Sequence, residues 1–155
     1  MKFSTKEDIE APIDVVFEML CDFETFERSA MRRGAEVGRV DNLSKPSVGM
    51  TWDAKFDLRG KRRELQLEMV TFDRPTEMVL ESRSQGLLGT MSMELMALSR
   101  NRTRILVALD LKPLNLSARL LVQSLKLAKK SLTKKYKLRV AEFVKTMEER
   151  YQKTA

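Results

Sequence analysis

Residues 116–151 read LSARLLVQSLKLAKKSLTKKYKLRVAEFVKTMEERY, a stretch with neither Gly nor Pro. Leu121, Leu125, Ala128, Leu132, Tyr136, Val140, Phe143, Met147 and Tyr151 recur three or four positions apart. That spacing places them on one side of a helix with 3.6 residues per turn. It predicts one long amphipathic helix, on the order of 50 Å at 1.5 Å per residue. Arg119, Lys126, Lys130, Lys134 and Lys137 cluster away from the apolar stripe. A helix this long with one apolar face needs an apolar surface to lie on.

Residues 35–113 supply that surface, because their period is two rather than 3.6. Trp52, Ala54, Phe56 and Leu58 alternate with Asp53, Lys55, Asp57 and Arg59. Leu65, Leu67 and Met69 alternate with Glu64, Gln66 and Glu68; Met91, Met93, Leu95 and Ala97 share a face, as do Ile105, Val107, Leu109 and Leu111. Strands are predicted at 35–43, 49–59, 62–73, 76–85, 89–99 and 103–112. The links between them are short and rich in Gly, Pro, Ser and Asn, as in Arg59-Gly60-Lys61 and Arg74-Pro75. Short sequential links make an antiparallel meander. Met69-Val70-Thr71-Phe72 breaks the alternation and predicts a bulge.

Before the meander, residues 2–10 alternate as a further strand, with Phe3, Thr5, Glu7 and Ile9 on one face. Pro12 at the first helical position and Asp14 in the first turn mark a helix start. Ile13, Val16, Phe17 and Leu20 follow at helical spacing. A second short helix is predicted over 23–33, with Asp22 as N-cap and Gly34 as its stop. The whole is a single α+β domain over 1–155: two short helices after the first strand, an antiparallel sheet of about six or seven strands, and a long C-terminal helix.

Composition narrows the chemistry. The 155 residues include no His, which removes Ser-His-Asp and Cys-His nucleophile systems and His-ligated metal sites. The single cysteine, Cys21, makes neither an internal disulfide nor a thiolate zinc cage, and with no His partner it reads as a small core residue. No metal or cofactor is implied. The polar N-terminal stretch lacks the apolar core of a signal peptide, and a reduced, cytoplasmic setting is the expectation. The net charge of +7 is uneven. Residues 117–155 carry +8, and the remainder carries −1. Any electrostatic partner therefore concerns the C-terminal segment.

Local motifs join this element order. Ile9-Glu10-Ala11-Pro12, followed by Val16-Phe17, Asp22 and Phe26, resembles the strand-to-helix entry of the START-like (SRPBCC) superfamily. Gly49-Met50-Thr51-Trp52 is similar to that superfamily's glycine-led strand, and Phe72-Asp73-Arg74-Pro75 to its aromatic-x-x-Pro turn. No Trp follows Phe26, where many members have one. The resemblance implies the helix-grip fold, in which a curved sheet wraps the long helix and leaves a cavity between them. It also implies relatives among lipid-transfer START domains, polyketide cyclase/dehydrase-like proteins and ubiquinone-binding homologues.

If that cavity exists, the face periods name its lining: Trp52, Phe56, Leu67, Met69, Met78, Leu80, Met91, Met93, Val107, Leu109, Leu125 and Leu132. Such a wall suits a lipid, isoprenoid or polyketide-like compound, and ten methionines give it adaptable shape. The plainer reading is a filled core, with Trp52 as a packing anchor. An enzyme of the cyclase/dehydratase kind would need polar groups in the cavity, for which Glu81, Ser82 and Arg83 are candidates. A regulatory partner-binding module would instead use the basic helix. Lys126, Lys130, Lys134 and Lys137 could contact an anionic membrane; aromatic residues at 6% argue against nucleic acid.

Overall fold

The computed structural model describes residues 1–154. Strand β1 (Lys2–Ile9) leads into helices α1 (Ile13–Leu20) and α2 (Phe23–Arg32). Strands β2 (Glu36–Arg39), β3 (Thr51–Leu58), β4 (Lys61–Asp73), β5 (Glu77–Ser84), β6 (Leu87–Ser99) and β7 (Arg102–Pro113) follow. Helices α3 (Leu116–Leu127) and α4 (Lys129–Thr154) close the chain. The seven strands form one sheet in the order β1-β7-β6-β5-β4-β3-β2, antiparallel throughout. The meander is as read from the alternation, and β1 returns to pair with β7. The predicted bulge lies where the β4–β5 register shifts between Met69 and Thr71.

The register lines up one apolar face. Phe3 sits opposite Leu109, Leu109 opposite Met91, Met91 opposite Leu80, Leu80 opposite Met69. The same face continues through Leu67 to Trp52. Helix α4 lies along this concave face, packed against β1. At one end the packing is complete. Ile9, Phe17, Leu20, Met69, Met78, Ile105 and Met147 are all less than 2% exposed. Thr103, also buried there, donates its hydroxyl to the carbonyl of Ala11 at 2.8 Å and ties β7 to the entry of α1.

Three local expectations change. The C-terminal helix is not continuous. It breaks at Ala128 (φ −104°, ψ 15°), whose amide reaches back only three residues, to the Leu125 carbonyl at 3.1 Å. Between Leu125 and Leu132 no large apolar side chain is buried, so nothing there holds the helix straight against the sheet. Pro12 is the N-cap of α1 rather than its first helical residue, and its carbonyl accepts the Val16 amide at 3.0 Å. Asp22 does occupy the N-cap of α2, but its carboxylate accepts from the Thr25 hydroxyl at 2.6 Å and from Arg150 at 3.2 Å rather than from the helix backbone.

Strand β2 is also far shorter than predicted, because Asp41 takes the chain out of the sheet. Its carboxylate accepts the amides of Leu43 and Thr51, each at 2.9 Å, and pairs with Arg39. The Arg39 hydrogen bond, followed by the Thr51 amide, holds the Asp41 carboxyl well below its ordinary value of 3.8.

Two outcomes check this packing. Met147→Ala empties part of the closed end and should cost about 2–5 kcal/mol in denaturant unfolding. Asp41→Asn should destabilise the fold at neutral pH. A carboxyl with a lowered folded pKa stabilises above its unfolded value and loses that effect as pH falls. The gap between Asp41→Asn and the native chain should therefore be full at pH 7 and narrow steadily below about pH 4.

Candidate functional site

The concave face is not uniformly closed. Moving along it from the packed end, Leu67, Leu80, Met91, Val107 and Leu109 are only half-buried. Their neighbours in sequence point to the opposite face, so water reaches them from the concave side. The α4 residues on the same side, Leu132, Tyr136, Val140 and Phe143, are half-buried too. The packing between sheet and helix thus changes along this face, from fully buried side chains to half-buried ones.

Specific contacts set the spacing between sheet and helix here. The Tyr136 hydroxyl donates to the Val107 carbonyl at 2.7 Å, and its ring lies 5.7 Å from Phe3. Partial burial raises the Tyr136 phenol above its ordinary pKa, keeping the hydroxyl a donor. On the far side, α2 bridges helix and sheet. Phe26 packs on Phe143 at 4.8 Å, and Phe23 packs on Trp52 at 5.4 Å. At the remaining end, α3 begins beside the β5–β6 turn. The Leu114 amide donates to the Gly86 carbonyl at 2.6 Å. Asn115 caps α3 by accepting the Ala118 amide at 2.8 Å. Gly86, at φ +83°, is required here: a Cβ would meet the Asn115 amide nitrogen at 2.0 Å.

The twelve residues read as lining divide into two groups. Phe56, Leu67, Leu80, Met91, Val107, Leu109 and Leu132 are half-buried. All but Leu132 fall on the concave face by register. Met69 and Met78 face the same way but are fully buried, and Met93 is 9% exposed; these three belong to the packed end. Trp52 is a packing anchor. Its indole nitrogen donates to Glu27 at 2.9 Å, and Arg39 lies 5.8 Å over its ring. Leu125 is buried under α3, apart from the main core. Leu65, Leu111 and Tyr136 are half-buried as well and are not among the twelve residues read as lining. Leu65 and Leu111 continue faces already visible in the alternation, so their signal is present in the sequence.

The polar candidates separate by face. Ser82 points into the concave side, opposite Leu67 and Gly89. Glu81 and Arg83 lie on the convex side, 3.5 Å apart, with Arg83 74% exposed. The alternation that carries Leu80 and Ser82 inward must carry their neighbours outward. Glu81 and Arg83 therefore make no buried acid–base pair. Among the described residues, no buried side-chain nitrogen or oxygen lacks a hydrogen-bond partner, and no group of His, Cys, Asp and Glu is placed to hold a metal. No helix among them is long and apolar enough to cross a membrane. A separate hollow of about 370 Å³ lies on the outer surface between α1 and the end of α4, lined by Asp14, Glu18, Asp22 and Arg150 among others.

No protein-family model matches this sequence, and no curated protein matches it. Solved structures do. The Zhui aromatase/cyclase from Streptomyces sp. R1128 superposes with a TM-score of 0.67 over 97% of this chain and 95% of its own, at 12% identity. A protein from Thermus thermophilus gives 0.67 over 100% and 99%, at 16% identity. A START superfamily protein from Mycobacterium smegmatis gives 0.56 over 86% and 95%, at 12% identity. The chain has the START-like helix-grip fold.

Cys21 sits at the end of α1, half-buried against the core. Burial pushes its thiol up to about 11. Alkylation by iodoacetamide at pH 8 should accordingly run at least about tenfold slower in the folded protein than in denaturant, because little thiolate is present.

Proposed function

We propose that this protein binds a hydrophobic small molecule, such as a lipid, isoprenoid or polyketide-like compound, in the cleft between the sheet and α4. The observation that carries the reading is the change in burial along one continuous apolar face. Met69, Met78 and Met147 are closed off, whereas Leu67, Leu80, Met91, Val107 and Leu109 are left accessible to water. Each 100 Å² of such surface covered by an apolar ligand contributes about 2.5 kcal/mol before association costs. Of the polar groups near the cleft, the Tyr136 hydroxyl is engaged by Val107 and the indole of Trp52 by Glu27, while Thr5, Glu7 and Ser82 face the same side by register. Sequestration or carriage needs no reacting group in the cleft, and the outward placement of Glu81 and Arg83 favours it over acid–base chemistry at those residues. The methionine and leucine lining can repack around ligands of differing outline.

Native mass spectrometry of the purified chain, followed by denaturing extraction, tests this. A stoichiometric apolar adduct should be released on unfolding. In parallel, a fluorescent fatty-acid probe should bind the native chain. Met91→Glu, which sets a charge in the middle of the cleft, should weaken that binding by about tenfold or more while far-ultraviolet circular dichroism stays unchanged. Absence of both adduct and probe binding would overturn the proposal.

A further inference from the structure

Helix α3 presents an apolar stripe to the outside. Ala118, Val122 and Leu125 are its buried face. On the other side, Leu116 is 71% exposed, Leu120 59% and Leu127 93%. At 100° per residue these three fall within about 40° of one another, so they form one ridge rather than scattered side chains. Leu114, 62% exposed, continues the ridge before the helix begins. Leaving three or four leucines in water on a single short helix is costly and calls for an apolar partner.

The charge around the ridge identifies that partner. From position 111 to 141 the chain has no Asp or Glu and nine Lys and Arg, all exposed. None of the nine takes part in an ion pair among the described residues. Elsewhere some arginines are paired, as Arg102 and Arg104 are with Asp8. Arg119 and Lys126 run along one side of the leucine ridge on α3, and Lys129 and Lys130 follow at the break. An apolar ridge edged by unpaired cations is complementary to one surface in particular: hydrocarbon covered by anionic headgroups. Nucleic acid would satisfy the lysines and leave the leucines in water, whereas a bilayer covers both.

We propose that α3 is a membrane-docking element, which inserts Leu116, Leu120 and Leu127 into the headgroup boundary of an anionic bilayer while the neighbouring cations hold the phosphates. This goes beyond the cleft reading and does not depend on it, since docking is read with the empty protein. Lys126 and Lys130 fall within the docking surface; Lys134 and Lys137 continue its basic field along α4.

Co-sedimentation with vesicles of phosphatidylcholine alone, and of phosphatidylcholine with about 30% phosphatidylserine, tests it. Binding should require phosphatidylserine and fall steeply between low and physiological salt. The double change Leu120→Glu and Leu127→Glu lies on the exposed ridge and leaves the core untouched. It should weaken vesicle binding by about tenfold or more with thermal unfolding unchanged. Lys126→Glu with Lys130→Glu should do the same. Leu138→Glu, an exposed leucine on α4 away from the ridge, should have a distinctly smaller effect. The proposal is overturned if phosphatidylserine vesicles are not bound at low salt. It is equally overturned if the leucine changes leave binding intact, which would reveal charge attraction alone, or if polyglutamate or duplex DNA is bound and the vesicles are not.

Discussion

The packed end of the grip is the constraint from which the rest follows. Helices α1 and α4 meet the sheet there through Val16, Phe17, Leu20, Val144 and Met147, against Ile9, Met69, Met78 and Ile105. Apolar burial of this extent is what fixes α4 over the concave face. Once α4 is anchored at its C-terminal end, its other end need only be spaced from the sheet, and Tyr136 does so through one hydrogen bond and one ring contact. Burial is thereby concentrated at one end, and the side chains at the other stay half-buried.

The architecture was legible because its periods are clean. Alternation in β3, β4, β6 and β7 sets the inward face, and a single such face demands a cover. The break at Ala128 was not legible, since Leu125, Ala128 and Leu132 keep helical spacing straight through it. What ends α3 is the lack of buried contact over 126–131, a tertiary matter rather than a propensity. The loop after β2 was hidden for a related reason. Val37, Arg39 and Val40 read as strand, but Asp41 satisfies the Leu43 and Thr51 amides with its own side chain. A local polar bond of that kind competes with the sheet ladder and leaves no mark on the hydrophobic pattern.

The candidate site shows the same division. Which residues face inward could be read from alternation, and the register of β3 to β7 gives the same faces. Which of them are filled core and which line an opening depends on how close the helix comes, residue by residue. Met69 and Leu67 sit two positions apart on one strand and one face, yet only Leu67 has exposed surface. Sequence carries direction in a sheet; distance to the opposite layer is set by side chains from other parts of the chain.

Helix α3 is fastened at both ends. Its start is held through Asn115 and Leu114 to the turn at Gln85 and Gly86, and its finish runs through Ala128 into α4. Mechanically it is a strut between two joints. A strut of this kind cannot swing open like a flap; it can bow or roll about its own axis. Any force on its outer leucines is therefore passed to the β5–β6 turn and to the first turn of α4.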